Sequence, residues 1–289
     1  MPELNSQDGR SIQEVLERAC TVLGRVSDSA RLDAEVLLCH CLGKQRSFLR
    51  AWPERQLDAA QAEQFRHLLE QRRQGRPIAY LTGEREFWSR TFNVTPDVLI
   101  PRPDSELLIE LSLSLLPDNQ ACKIIDLGTG SGILAVTLAA ERPLAEVVAT
   151  DISSAALAVA RQNAEQLAAG KVRFVESHWF DAVPDSDFDL VVSNPPYIAG
   201  DDPHLQQGDV RFEPETALIS GEAGLKDIRL LAEQAGHHLK PHGHLLIEHG
   251  YNQAQQVRSI LKQLHYRQVG THPDLSGNPR VTSGLWNPT

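Results

Sequence analysis

Cysteine is scarce in this 289-residue chain, and the four present are poorly placed for cross-links. Cys20, Cys39, Cys41 and Cys122 make no C-x-x-C pair and no disulfide framework, so reduced thiols in a cytoplasmic protein are expected. Cys39-His40-Cys41 lies in the helical pattern Leu32–Leu42, where residues two apart face different ways, and no metal is expected there. His237, His238, His242, His244 and His249 are dense in sequence, but no H-E-x-x-H spacing occurs and no metal centre is expected. A G-x-S-x-G nucleophile motif is also missing. No apolar run approaches membrane-spanning length. Met1–Arg10 is polar with no apolar core, so no secretory signal is expected. There is no internal repeat and no low-complexity segment.

Positive charge is in deficit: 28 Lys and Arg stand against 38 Asp and Glu, a formal net charge of -10. Proteins that grip nucleic acid through its phosphates usually carry a basic field, so no stable nucleic-acid binding is expected. Arg46, Arg50, Arg55, Arg66, Arg72, Arg73 and Arg76 crowd the first quarter and read as solvated helix faces.

What the chain has is patterning. Ile12, Val15, Leu16, Ala19, Val22 and Leu23 have helical spacing up to Gly24. Asp28 or Ser29 can cap a second helix ending at Gly43, and Asp58 with Gln61 makes a capping box for a third that runs to Gly75. Residues 1–75 therefore read as an all-helical domain. Residues 76–100 read as a β-hairpin linker, with Thr82-Gly83 as a turn and Phe87, Trp88, Phe92, Val94 and Val98 favouring strand. Ile100-Pro101-Arg102-Pro103-Asp104-Ser105-Glu106 then leads into a leucine-rich helix.

From Lys123 strands and helices alternate. Strands are expected at 123–127, 146–150, 172–176, 188–193, 243–248, 266–269 and 280–285, and helices at 131–141, 153–167, 221–236 and 252–264. This predicts an α/β domain over 101–289, a mainly parallel sheet with helices on both faces, which binds ligands at the carboxyl ends of its strands.

Two motifs fall at such ends. Ile124-Ile125-Asp126-Leu127 runs into Gly128-Thr129-Gly130-Ser131-Gly132, a strand, a glycine loop and a helix start. The glycines allow close backbone approach to a ligand. Asp151 ends the next strand, where a carboxylate can accept from vicinal ribose hydroxyls. Dinucleotide sites typically show G-x-G-x-x-G with pyrophosphate at the helix N-terminus. Here the spacing is G-x-G-x-G and Asp126 precedes it, an acid suited to a sulfonium and an amino group rather than a pyrophosphate. The loop fits S-adenosylmethionine better than a nicotinamide dinucleotide.

The second motif is Asn194-Pro195-Pro196-Tyr197, after Val191-Val192-Ser193. The prolines lack N–H groups and push the residues before them out of the helical region, so the strand ends in a stiff segment with free acceptors. A planar amino or amide nitrogen is a weak nucleophile. Two acceptors aimed at its N–H groups, the Asn194 side-chain oxygen and the Pro195 carbonyl, would hold it in line and free its lone pair. Pro196 would keep the segment stiff and Tyr197 would wall the amide plane.

Asp126–Gly132, Asp151 and Asn194–Tyr197 together resemble a Rossmann-like class I methyltransferase with the N-P-P-Y signature of amino-group methylation. More narrowly, the chain resembles the release-factor glutamine methyltransferases, the PrmC/HemK family. Arg31–Glu35, Arg76–Tyr80, Ile100–Glu106, Phe212-Glu213-Pro214 and Glu248-His249-Gly250 extend the likeness over nearly the whole chain. The resemblance implies methyl transfer to the glutamine side-chain amide in the Gly-Gly-Gln motif of peptide chain release factors, with the helical domain docking that protein. An adenine or cytosine amino-methyltransferase is the rival with the same N-P-P-Y chemistry. The resemblance also implies that Gly128, Thr129, Gly130, Ser131 and Gly132 line the methionine part, that Asp151 holds the ribose, and that Trp179 packs beside the adenine. Asn194 would touch cofactor and substrate. Where the family often has Ser-Asp, this chain has Ser177-His178, which changes the adenine edge.

Overall fold

The computed structural model describes residues 11–167 and 171–287, so the expectation about Met1–Arg10 lies outside the described residues. The chain divides into two compact units, Met1–Gly83 with Gln207–Phe212, and Glu84–Gln206 with Glu213–Thr289.

The first unit holds α1 (Ile12–Leu23), α2 (Ala30–Leu42), α3 (Arg46–Ala51), α4 (Ala59–Arg73) and α5 (Ile78–Thr82). Capping boxes open α1 (Ser11 with Glu14) and α4 (Asp58 with Gln61), each satisfying two otherwise orphaned N–H donors. Ile12, Leu16, Leu23, Leu37, Leu38 and Phe65 form a buried core. Ser29 stands before α2 but does not cap it. Its hydroxyl instead donates to Asp33, 2.9 Å away, which also accepts from Arg72 Nε at 2.8 Å. Arg72 is thus a half-buried tie between α2 and α4 rather than a fully solvated charge. Arg46 and Arg73 pair with Glu35 and Glu70.

The second unit opens with a hairpin, β1 (Glu84–Phe87) and β2 (Arg90–Asn93). Its turn is not at Thr82-Gly83. Gly83, at φ +76°, ends the short helix α5, and the strands reverse at Trp88 and Ser89, both at positive φ. Two left-handed residues suit the twist of a hairpin. Trp88 is held there by its backbone N–H on Glu106 (2.9 Å) and its ring N–H on Glu141 (3.2 Å).

There follow α6 (Glu106–Leu115), β3 (Lys123–Leu127), α7 (Ile133–Glu141), β4 (Glu146–Asp151), α8 (Ser154–Gln166), β5 (Val172–Glu176), β6 (Phe188–Ser193), α9 (Lys226–His238), β7 (Leu239–Glu248), α10 (Ala254–Gln263), β8 (Arg267–Pro273) and β9 (Pro279–Leu285). All seven expected strands form one sheet in the order β5-β4-β3-β6-β7-β9-β8. The first five run parallel, and β9 lies antiparallel between β7 and β8. Ile124 packs in the core on one face of β3 and Ile125 in the core on the other. Burial on both faces is why these strands read as unbroken apolar runs. The helix expected over 221–236 starts only at Lys226. Glu222 and Ala223 are left-handed at φ +53° and +55°, and Gly224 follows at +86°. A Cβ on Gly224 would lie 2.0 Å from the Tyr197 carbonyl oxygen, so this turn is shaped by the segment after β6.

Candidate active site

A cavity of about 310 Å³ opens at the carboxyl ends of β3, β4 and β6, within the second unit. That volume is at the lower end of small-molecule sites. Gly128, Thr129, Gly130, Ser131, Asp151, Trp179, Asn194 and Pro196 line it; Gly132, Pro195 and Tyr197 do not.

The cofactor side is built mainly from backbone. Gly128, Gly130 and Gly132 sit at φ +73°, +56° and +85°, angles that cost other residues energy. Thr150 O accepts from the N–H groups of Gly128 (2.9 Å) and Thr129 (2.8 Å), and Asp151 Oδ2 accepts from Gly130 N–H at 2.9 Å. Ser153 N–H donates to the other Asp151 oxygen, also at 2.9 Å. Each carboxylate oxygen keeps a lone pair for a ligand. Burial raises the Asp151 pKa, opposed by these N–H donors. Gly132 instead faces α8, where a Cβ would stand 3.1 Å from that of Ala160.

Asp126 is not on the cavity wall. It is fully buried, accepts from Thr129 Oγ1 (2.6 Å) and Ala135 N–H (3.2 Å), and burial pushes its pKa up to about 7. Its Oδ2 binds loop to helix beneath the glycines, and its Oδ1 is buried with no hydrogen-bond partner among the described residues.

Trp179 is buried at a φ of +51°, its ring against Gly128, where a Cβ would come within 3.3 Å. Its indole N–H is buried without a hydrogen-bond partner. His178, half-exposed, lines the cavity and has Nδ1 3.4 Å from Asp181. A glycine cradle, a flat indole and an acid with spare lone pairs fit an adenosine-bearing methyl donor.

The acceptor side is built from side chains. Ser193 on β6 pairs with Ile247 on β7, so Asn194 and Glu248 emerge together at the carboxyl edge. Asn194 Nδ2 donates to Ser105 Oγ at 3.1 Å, and Ser105 Oγ donates to Glu248 Oε2 at 2.7 Å. The Tyr197 hydroxyl donates to Glu248 Oε1 at 3.3 Å. Burial pushes the Glu248 pKa up to about 7, opposed chiefly by the Ser105 hydrogen bond and the Arg280 charge. Burial, with the Glu248 charge, also raises that of Tyr197. Gln253 Nε2 donates to the carbonyls of Tyr197 (3.0 Å) and Ala223 (3.1 Å). Arg102 grips the buried Glu213 carboxylate at 2.6 and 2.8 Å, drawing the returning chain to the cavity rim. Among the described residues no hydrogen bond reaches Asn194 Oδ1 or the Pro195 carbonyl.

Sequence reasoning named Asn194–Tyr197, the loop and Asp151 but missed the roles of Ser105, Glu248, Gln253 and Gly224. One signal was readable: Glu248 is an acid that directly follows the apolar run Leu245-Leu246-Ile247.

A strand order of this kind, with a glycine loop after its first strand and Asn-Pro-Pro-Tyr after its fourth, defines a class I methyltransferase. Residues 14–83 match the family described as PrmC N-terminal domain, and residues 104–210 the Methyltransferase small domain. The release factor glutamine methyltransferase of Shewanella oneidensis is 46% identical over 279 residues, covering 96% of this chain and 97% of its own. That of Escherichia coli is 48% identical over 262 residues, 91% and 94%. The chain belongs to the release factor glutamine methyltransferase family. Among solved structures, the T. thermophilus 16S rRNA N2 G1207 methyltransferase, in complex with AdoMet and guanosine, has a TM-score of 0.52 at 21% identity. That match covers 70% of this chain and 49% of the other, a likeness of fold. Among the described residues no helix is long and apolar enough to cross a membrane.

Proposed function

We propose that this protein transfers a methyl group from S-adenosylmethionine to the side-chain amide nitrogen of the glutamine in the Gly-Gly-Gln motif of peptide chain release factors, in the cytoplasm. Close identity over nearly the full length of two curated release factor glutamine methyltransferases carries the reading. The adenine or cytosine alternative is not favoured, because these relatives are named for glutamine.

S-adenosylmethionine, when bound, supplies a methyl group on a sulfonium that leaves as a neutral thioether. Gly128–Ser131 would cradle it, with Gly132 packing the loop against α8, while Asp151 would accept from the ribose hydroxyls and Trp179 would flank the adenine. Asn194 Oδ1 and the Pro195 carbonyl accept the two N–H groups of the glutamine amide. Their free state in the structure supports this role. They turn the nitrogen lone pair toward the methyl group and stabilise the positive charge that develops on nitrogen. A proton leaves that nitrogen after transfer, so no general base is required. Pro196 stiffens the segment on the cavity wall. Tyr197, which is expected from the motif to wall the amide plane but lies off the cavity lining, anchors the segment through its hydroxyl on Glu248. Residues 1–75 dock the release factor, with residues 76–100 leading into the catalytic domain at 101–289. The test offers methyl-labelled S-adenosylmethionine with a release factor, duplex DNA or neither. Label is expected on the release factor alone, and label on DNA alone would refute the reading.

A further inference from the structure

We propose that Ser105 and Glu248 are positioning residues that set which way the Asn194 amide faces. The inference rests on the acceptor-side role of Asn194 proposed above and extends it to two residues outside the motif.

An Asn side chain carries a donor and an acceptor of nearly equal size, and only its hydrogen-bond partners decide which one faces a ligand. At this site an outward oxygen accepts the glutamine N–H. An outward NH₂ would oppose it, donor against donor. Ionised Glu248 is an acceptor only. It takes the Ser105 proton at 2.7 Å on one oxygen and the Tyr197 proton at 3.3 Å on the other. With its proton committed, Ser105 Oγ presents lone pairs to Asn194, and only Nδ2 can satisfy them, at 3.1 Å. A flipped Asn194 would set oxygen against oxygen. Ser105 is 0% exposed and Glu248 1% exposed, so solvent does not substitute for either. The chain of donors therefore runs one way, from Asn194 through Ser105 to Glu248. The outward Asn194 oxygen is its consequence.

Three parts of the chain meet to build it: the turn before α6, the end of β6 and the end of β7. Arg280 stands beside it, bridging Asp104 at 3.1 Å and Asp274 at 3.2 Å. Its charge opposes the burial that raises the Glu248 pKa to about 7, so the ionised acceptor and the one-way order belong to pH above about 7.

The test measures kcat and KM with a release factor, together with S-adenosylmethionine Kd by calorimetry, for Ser105→Ala, Ser105→Thr, Glu248→Gln, Asn194→Ala and the Ser105→Ala/Asn194→Ala double variant. Ser105→Ala is expected to lower kcat roughly tenfold or more, the worth of a misdirected buried hydrogen bond. KM and cofactor Kd should stay near wild type. Ser105→Thr, which keeps the hydroxyl, should recover most of the rate. Glu248→Gln offers Ser105 a donor and an acceptor, loses the one-way order and lowers kcat likewise. In the Asn194→Ala background the Ser105 change should cost nothing further, because it acts only through Asn194. Wild-type kcat in both Ser105→Ala and Glu248→Gln, with Asn194→Ala impaired, overturns the positioning role and leaves the acceptor-side reading standing. A further loss in the double variant also overturns it. Full activity in Asn194→Ala overturns the acceptor-side reading itself. Should Ser105→Ala fail to fold, Ser105→Thr and Glu248→Gln decide alone: lost kcat in the second with activity kept in the first supports the inference, and kept activity in both overturns it.

Discussion

The two sides of the cavity are held by different means. On the cofactor side the backbone does the holding. Three glycines at positive φ and the N–H bonds from Gly128, Thr129 and Gly130 come from one short stretch and its neighbouring strand. On the acceptor side the motif Asn194–Tyr197 is held by the side chains of Ser105, Glu248 and Gln253, from distant parts of the chain. The lesson is one of sensitivity. A backbone-built site is sensitive at its glycines and at the one acid, Asp151, that accepts from their N–H groups. A side-chain-built site fails when one buried partner is removed, because the unmatched group stays behind without water.

The predictions probe that contrast, beginning with the largest effect. Asn194→Ala removes an acceptor that acts in the transition state, and turnover should fall by roughly 10²–10³. Cofactor Kd should change little, as calorimetry would record. Asp151→Ala attacks the other side. Losing hydrogen bonds to a charged acceptor is worth about 1.5–3 kcal/mol, so S-adenosylmethionine Kd should weaken roughly 10–100-fold, with most of the rate recovered at saturating cofactor. A kcat defect at saturation would blur the division between the two sides. Gly224→Ala sets a Cβ 2.0 Å from the Tyr197 carbonyl at φ +86°. About 1–3 kcal/mol of strain is expected, read as a lower denaturation midpoint together with reduced kcat.

Asp126→Asn is the mildest. The Asp126 pKa is raised in the fold to about 7, above about 3.9 when unfolded. The folded state therefore holds a proton that the unfolded state has released. That stabilisation is complete below about pH 4 and disappears as pH rises through about 7. Wild-type Tm should fall more steeply over this interval than that of Asp126→Asn. Parallel curves would show that Asp126 stays charged beneath the loop.

How much of this was legible in the sequence follows from the same contrast. Gly128–Gly132, Asp151 and Asn194–Tyr197 are short contiguous signals at strand ends, and the seven strands that carry them were readable from alternation. The partners of Asn194 were not, because the pairing of β6 with β7 brings Asn194 beside Glu248, and the turn before α6 then places Ser105 between them. The hairpin turn was misplaced because Trp88 and Ser89 lack the usual turn chemistry. Glu106 and Glu141, far along the chain, anchor Trp88 instead. The start of α9 was misplaced because the Tyr197 carbonyl, not local propensity, shapes Gly221–Gly224. Asp126 reads in the sequence as a ligand-facing acid; that its Oδ2 also ties the loop to the helix through Thr129 and Ala135 depends on the folded loop and is not legible there.

The most direct test of the central claim is site-resolved mass spectrometry of a release factor incubated with the protein and isotope-labelled S-adenosylmethionine. One labelled methyl group on the side-chain nitrogen of the Gly-Gly-Gln glutamine is the predicted result. An unlabelled glutamine, with label elsewhere on the factor or nowhere, would contradict it.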